Sequence, residues 1–368
     1  MDARKRPAAV LDAAHATATP GSATCSKRRR TIVGSTDDYK KIRCIGAGSY
    51  GVVHEARHLV TGKTVAIKYF ESPDGDAEEG AEVTELLGEA RFLDTCSGNP
   101  YVVGFEGLVR DAFDYGLCLL MEYVPGPSLD YFFGGKEQLS ESTVRAFMWK
   151  LLTGAKMMHD RHVVHRDIRP ANILVGQDGE LIKICNFGEA IFTSEPPPYT
   201  QAGQLVYMAP EMLLQKPDYD TQVDIWSLGC VMGEMLSVNT VFLCEDGYED
   251  EDETLHLWNI FRVLGTPDEN TWPGFTSLPF TDTVMEELPA RYEHSRLREM
   301  FPEEKLSEQG FEVLQGLLTC NPDKRLTAAK ALKHPWFDAH RPSAAAANVD
   351  ASVELPREKA LPEKLSQI

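Results

Sequence analysis

The sequence predicts an α+β fold in two parts: a strand-rich part up to Val124 and a larger, mainly helical part running to residue 340. Three observations carry this. Alternating residues from Tyr39 lead into a glycine-rich hairpin and a further strand-like run. Leu117 to Val124 is a mostly apolar stretch of strand length. Beyond it the apolar spacing turns helical, at Val144, Phe147, Met148, Leu151, Leu152 and Met157, with Ser140 or Ser142 as the cap. The implied division is a tail over 1–36, a first lobe over 37–124, a second lobe over 125–340 and a second tail over 341–368.

Composition narrows the class. Of 368 residues, 43% are hydrophobic and 25% charged, which is globular. A net charge of -19 argues against general nucleic-acid affinity. Eight cysteines without a C-x-x-C pair suggest neither a zinc site nor a disulfide scaffold. No apolar run approaches the roughly 18 residues of a membrane span.

The first 36 residues are rich in Ala, Thr, Ser and Pro, a composition of disorder. They carry Arg4-Lys5-Arg6 and Lys27-Arg28-Arg29-Arg30. Over residues 1–30, seven basic against two acidic residues give +5, leaving -24 on the remainder. Such clusters resemble a nuclear localisation signal, and residence in the nucleus, the cytoplasm or both is expected. Asp2 and Asp12 count against a plastid transit peptide.

Ile45-Gly46-Ala47-Gly48-Ser49-Tyr50-Gly51-Val52-Val53 reads G-x-G-x-x-G-x-V. In a dinucleotide fold a helix would follow these glycines. Here the strand-like Val52 to Ala56 follows, so the glycines sit in a hairpin whose backbone can lie close over phosphates. Val65-Ala66-Ile67-Lys68 then ends a strand on a lysine. Its ammonium needs a carboxylate to hold it on the phosphates. A helix around Glu78 to Cys96, with Val83, Leu86, Leu87, Ala90 and Leu93 at helical spacing, offers Glu89, with Glu85 one turn earlier as the alternative.

The chemistry centres on His165-Arg166-Asp167-Ile168-Arg169-Pro170-Ala171-Asn172, followed by Asn186-Phe187-Gly188. A carboxylate at Asp167 can take the proton of an attacking hydroxyl, and Asn172 offers an oxygen to a cation. Ala209-Pro210-Glu211, Asp224-Ile225-Trp226-Ser227-Leu228-Gly229 and Arg325 follow in order.

This set resembles the protein kinases. Leu264-Gly265-Thr266-Pro267-Asp268-Glu269, Trp272-Pro273-Gly274 and His334-Pro335-Trp336-Phe337 resemble the cyclin-dependent kinases, most of all a divergent plant member of the F group. The resemblance covers about residues 39 to 338. It implies a two-lobed kinase fold: a small antiparallel sheet with one main helix, then a larger helical lobe. It implies ATP and magnesium as cofactors, a protein substrate, and serine or threonine as acceptor, because Pro170 departs from the tyrosine-kinase loop. ATP would contact Ile45 to Val53, Ala66, Lys68, Glu122, Val124 and Leu174, with Met121 as gatekeeper. Asp167, Lys68, Glu89 and Arg169 would act in catalysis, and Asn172 and Asn186 on the metal. Glu211 would pair with Arg325, and Asp224 would tie down the catalytic loop. Ser49 and Tyr50 match an inhibitory phosphorylation pair, and Thr200 an activating site whose phosphate would pair with Arg166.

Several positions depart from the pattern. Asn186 stands for a metal-binding Asp, Arg169 for Lys, Gln204 for a Thr that contacts Asp167, and Met208 for the Arg before Ala-Pro-Glu. Gln204 is still expected to hydrogen-bond Asp167. Acidic Glu78-Glu79-Gly80-Ala81-Glu82 occupies the place of the cyclin-binding helix, so a cyclin partner does not follow. The run from Glu245 to Glu253 holds seven carboxylates in nine residues and reads as a solvated loop. Losing one charge near a cation is worth about 4 kcal/mol at an effective dielectric of about 20, near a thousandfold in rate. Two readings remain: a kinase with impaired activity, and a pseudokinase serving as a nucleotide-binding or inert scaffold.

Overall fold

Six strands near the start of the chain form one twisted sheet: β1 (Ile32–Ser35), β2 (Tyr39–Gly48), β3 (Gly51–His58), β4 (Thr64–Tyr69), β5 (Phe105–Arg110) and β6 (Leu117–Glu122), in the order β1-β5-β6-β4-β3-β2. The computed structural model describes residues 32–48, 51–70, 81–113, 116–135, 138–177, 179–242 and 252–340. The basic clusters, Ser49, Tyr50, Glu78 to Gly80, most of the acidic run and the 341–368 tail lie outside the described residues.

Side chains alternate across a strand, so the sheet has two faces with two fates. Ala56, Val65, Ile67, Val109, Cys118 and Leu120 form a small cluster on one face. Ala66, Leu119 and Met121 join the main core on the other. That second face is covered by α1 (Ala81–Thr95), which buries Leu86, Ala90, Phe92 and Leu93. Val83 and Leu87, expected on the same buried stripe, are exposed on its far side.

Two expectations need correction. Strand β1 starts at Ile32, inside the span 1–36 expected to be a tail. The sheet is also not wholly antiparallel, because β1 pairs parallel with β5 at Ile32↔Leu108 and Ser35↔Arg110. More than 70 residues separate these partners, ample for the long connection a parallel pair requires.

The second lobe is helical. Its long elements are α2 (Glu141–His159), α4 (Gln222–Ser237), α5 (Glu253–Leu264) and α8 (Glu308–Leu317), with short α3 (Pro210–Leu213), α6 (Thr281–Glu287), α7 (Leu297–Met300) and α9 (Ala328–Ala331) between and after them. Ser140, not Ser142, caps α2, accepting from the Thr143 N–H. Met158 rather than Met157 faces its core. Helix α4 is apolar nearly all round and is buried from Gln222 to Leu236, which makes it the central helix of the lobe. Beside α2 run the short strands β7 (Val163–Val164), β8 (Ile173–Val175), β9 (Ile182–Ile184) and β10 (Ile191–Phe192), paired β7 with β10 and β8 with β9. They fix the loops that carry the site.

Candidate active site

Glycine makes the roof. Strands β2 and β3 pair out to Gly48↔Gly51, so the glycine motif is a hairpin, as its following strand requires. Gly51 has φ 108°, and a Cβ there would sit 2.0 Å from the Tyr69 carbonyl oxygen. Only glycine fits. Ala47 pairs with Val52 and Gly46 with Val53, and Val53 lies directly opposite Lys68. The strand period of two therefore puts Val53, Ala66, Lys68 and Met121 on one face. Ile45 is exposed on the outer strand, and Leu174 is half-buried on β8. The Glu122 side chain accepts from the Gly104 N–H (2.9 Å) and pairs with Lys183 (2.9 Å), while its own N–H donates to the Gly104 carbonyl at 2.8 Å.

Lys68 and Glu89 are both buried, with Nζ 2.7 Å from Oε2. The choice between Glu89 and Glu85 is thus resolved: Glu85 is exposed. The other Glu89 oxygen accepts from the Phe187 N–H at 3.3 Å. One carboxylate thereby joins α1, β4 and the Asn186 loop.

The catalytic loop is held from below. Asp224 is fully buried at the start of α4 and accepts from the His165 and Arg166 N–H groups and His159 Nε2, each at 2.9 Å. Burial alone would raise its carboxyl, but the His159 hydrogen bond and nearby His165 hold it below the usual carboxylate range. Arg166 takes φ 67°, a conformation of order 1–3 kcal/mol in cost, and the two bonds to Asp224 over-determine it. His165 Nδ1 accepts from the Asp167 N–H, so its Nε2 carries the proton and donates to the Cys185 carbonyl at 3.0 Å.

Asp167 projects from this loop, 8% exposed. Asn172 Nδ2 donates to its Oδ2 (2.6 Å) and its backbone oxygen (2.8 Å). Arg169 Nε lies 3.3 Å from the carboxylate. Gln204 does not reach Asp167 as expected. Its Oε1 accepts from Arg169 Nη1 at 3.4 Å, because the wide guanidinium stands between them.

Asn172 and Asn186 are brought together, but not as two oxygens. Asn186 Nδ2 donates to Asn172 Oδ1 at 3.2 Å, and Asn186 Oδ1 accepts from Lys68 Nζ at 3.4 Å. Both amide orientations are dictated by neighbours. Asp167 can only accept, which turns the Asn172 oxygen away from it; Lys68 can only donate, which calls for the Asn186 oxygen. Magnesium asks for near-octahedral oxygen at about 2.0–2.1 Å. An N–H faces one candidate ligand and an ammonium faces the other, so the pair as it stands does not fit the cation. Among the described residues, no group of three or more His, Cys, Asp or Glu is suited to a metal.

Glu211 and Arg325 form the expected pair, buried and bidentate at 2.6 and 2.8 Å. Thr200 is exposed. Arg166 meets its backbone oxygen (3.1 Å) and Tyr219 Oη (2.8 Å), not its hydroxyl. The sequence motifs do not single out Tyr219, which also donates to the Thr200 carbonyl, or Gly203, where a Cβ would clash with the Arg166 carbonyl oxygen. A glycine in the polar stretch between Thr200 and Gln204 is the signal that could have pointed to the close approach. The described end of the acidic run is structural: Asp252 caps α5, and Glu253 accepts from Gln201 at 3.1 Å.

The protein kinase domain model matches residues 39–337. The cyclin-dependent kinase F-2 of Oryza sativa subsp. japonica is 42% identical, over 81% of this chain and 89% of that protein. Cyclin-dependent kinase G-1 of Oryza sativa subsp. indica is 39% identical and cyclin-dependent kinase G1 of Arabidopsis thaliana 37%, each over 82% of this chain. This chain spans 43% and 49% of those two relatives' own lengths. The hairpin, the Lys68–Glu89 pair, the Asp224-anchored loop and the Glu211–Arg325 pair therefore sit in a chain that belongs to the protein kinases, within the cyclin-dependent kinase family.

Proposed function

We propose that this chain is a serine/threonine protein kinase of the cyclin-dependent type that uses ATP. The observation that carries it is the placement of Asp167. Its carboxylate is held between Asn172 and Arg169, in one polar chain with Lys68 and Glu89. Such a group can accept a proton where an acceptor hydroxyl would attack. The hydroxyl oxygen forms the new bond to phosphorus, its proton passes to Asp167, and the bond to the departing ADP breaks. Lys68, steadied by Glu89, meets the phosphates, and Arg169 adds positive charge beside the base. Pro170 in the catalytic loop supports serine or threonine as acceptor. Protein kinases generally use magnesium with ATP; the amide pair does not fit that cation, and none of these steps runs through it.

A second reading is favoured by one contact. The Asn186–Asn172 hydrogen bond occupies the cation-facing end of the site, as a nucleotide-binding pseudokinase would tolerate. Phosphate transfer from labelled ATP to a generic protein substrate separates the two. Wild type should label the substrate, and Asp167→Asn should abolish labelling while leaving ATP affinity nearly unchanged. Equal labelling by the variant would remove Asp167 from the base role.

A further inference from the structure

Four charged side chains line the polar chain: Glu89, Lys68, Asp167 and Arg169. Their formal charges cancel. Asn186 joins the two halves without adding charge, donating to Asn172 and accepting from Lys68. An aspartate there would add one negative charge and set a second oxygen against Asn172 Oδ1. Those two oxygens would repel until a cation came between them, and a triphosphate would approach a net negative cluster. With asparagine neither penalty exists. The amide–amide contact closes the gap that a cation would otherwise bridge, and the φ of 64° at Asn186 is one that Asn adopts with little strain.

We propose that Asn186 makes nucleotide binding in this cleft independent of divalent cations, by acting as a neutral strut between Lys68 and Asn172. The ligand class is a nucleoside triphosphate carrying its charge without a bound metal, met by Lys68 and Arg169. A cation entering this site has to break the Asn186–Asn172 bond and turn the Asn186 amide away from Lys68. This inference rests on ATP binding as proposed above, but not on phosphate transfer.

The test is ATP affinity of the purified full chain, by titration calorimetry, in magnesium and in excess EDTA. Wild type should bind with dissociation constants that agree within about threefold, under roughly 0.7 kcal/mol. Asn186→Asp, nearly equal in volume, should bind at least about tenfold more tightly in magnesium than in EDTA. Wild-type binding that is tenfold tighter in magnesium overturns the strut and leaves ATP binding standing. Cation-independent binding by both proteins removes Asn186 as its cause. Absence of binding in either buffer overturns the nucleotide reading itself, and the strut with it. The wild-type titration stands alone if the variant misfolds.

Discussion

The Arg325–Glu211 and Asn186–Asn172 pairs each tie two segments of the second lobe together, by opposite physics. The first is a desolvated ion pair. All five guanidinium N–H groups are used: two on Glu211, and one each on the carbonyls of Thr319, Cys320 and Gln222. The second is neutral and lies in the cleft. A buried charge can be kept only with its partner, because the partner left behind is uncompensated. An amide facing a ligand site is under no such demand. The chain therefore retains the framework ion pairs of its family and departs where a change alters chemistry rather than folding.

That contrast can be broken by mutation. Arg325→Ala strands the Glu211 carboxylate and should cost about 3–5 kcal/mol in denaturant unfolding. A loss below about 1 kcal/mol would make the pair no firmer than a surface contact. Asn186→Asp loses the bond to Asn172 but keeps Lys68 beside it, and should lower the unfolding midpoint far less than Arg325→Ala in the same assay.

His256 sharpens the comparison with a third case, a buried titratable group with no hydrogen-bond partner among the described residues. Burial lowers its pKa to about 4. The folded value lies below the unfolded value of about 6.5, so the unfolded chain binds the proton first as pH falls. Stability is full above about pH 6.5 and is lost progressively towards pH 4. Between pH 7.5 and 5, His256 should account for about 2 kcal/mol of lost stability. His256→Leu should remove that part. Parallel pH curves for the two proteins would show that the imidazole is already solvated or partnered.

Much of this is legible in the sequence. The glycine hairpin follows from a strand after the glycines; helical spacing narrows the partner of Lys68 to Glu89 or Glu85, and only the fold decides between them. Strand β1 was not legible, since Ile32–Ser35 is short, follows a low-complexity stretch and pairs with a segment more than 70 residues away. Gln204 was misplaced because the sequence does not show that the Arg169 side chain bonds both it and Asp167. Tyr219 was invisible because its role is a contact with a backbone carbonyl, for which a sequence carries no periodic signal. Asn186 was legible as a departure; what it does instead required the directions of its two amide atoms.

The most direct test of a cleft limited by one missing charge is the initial rate of phosphate transfer by Asn186→Asp against wild type. It is run at matched protein, saturating ATP and excess magnesium. The restored carboxylate should raise the rate by roughly two to three powers of ten, the order of about 4 kcal/mol in the barrier. A variant no faster than wild type would contradict the account and place the limit elsewhere, with Arg169 and Gln204 the first residues to examine.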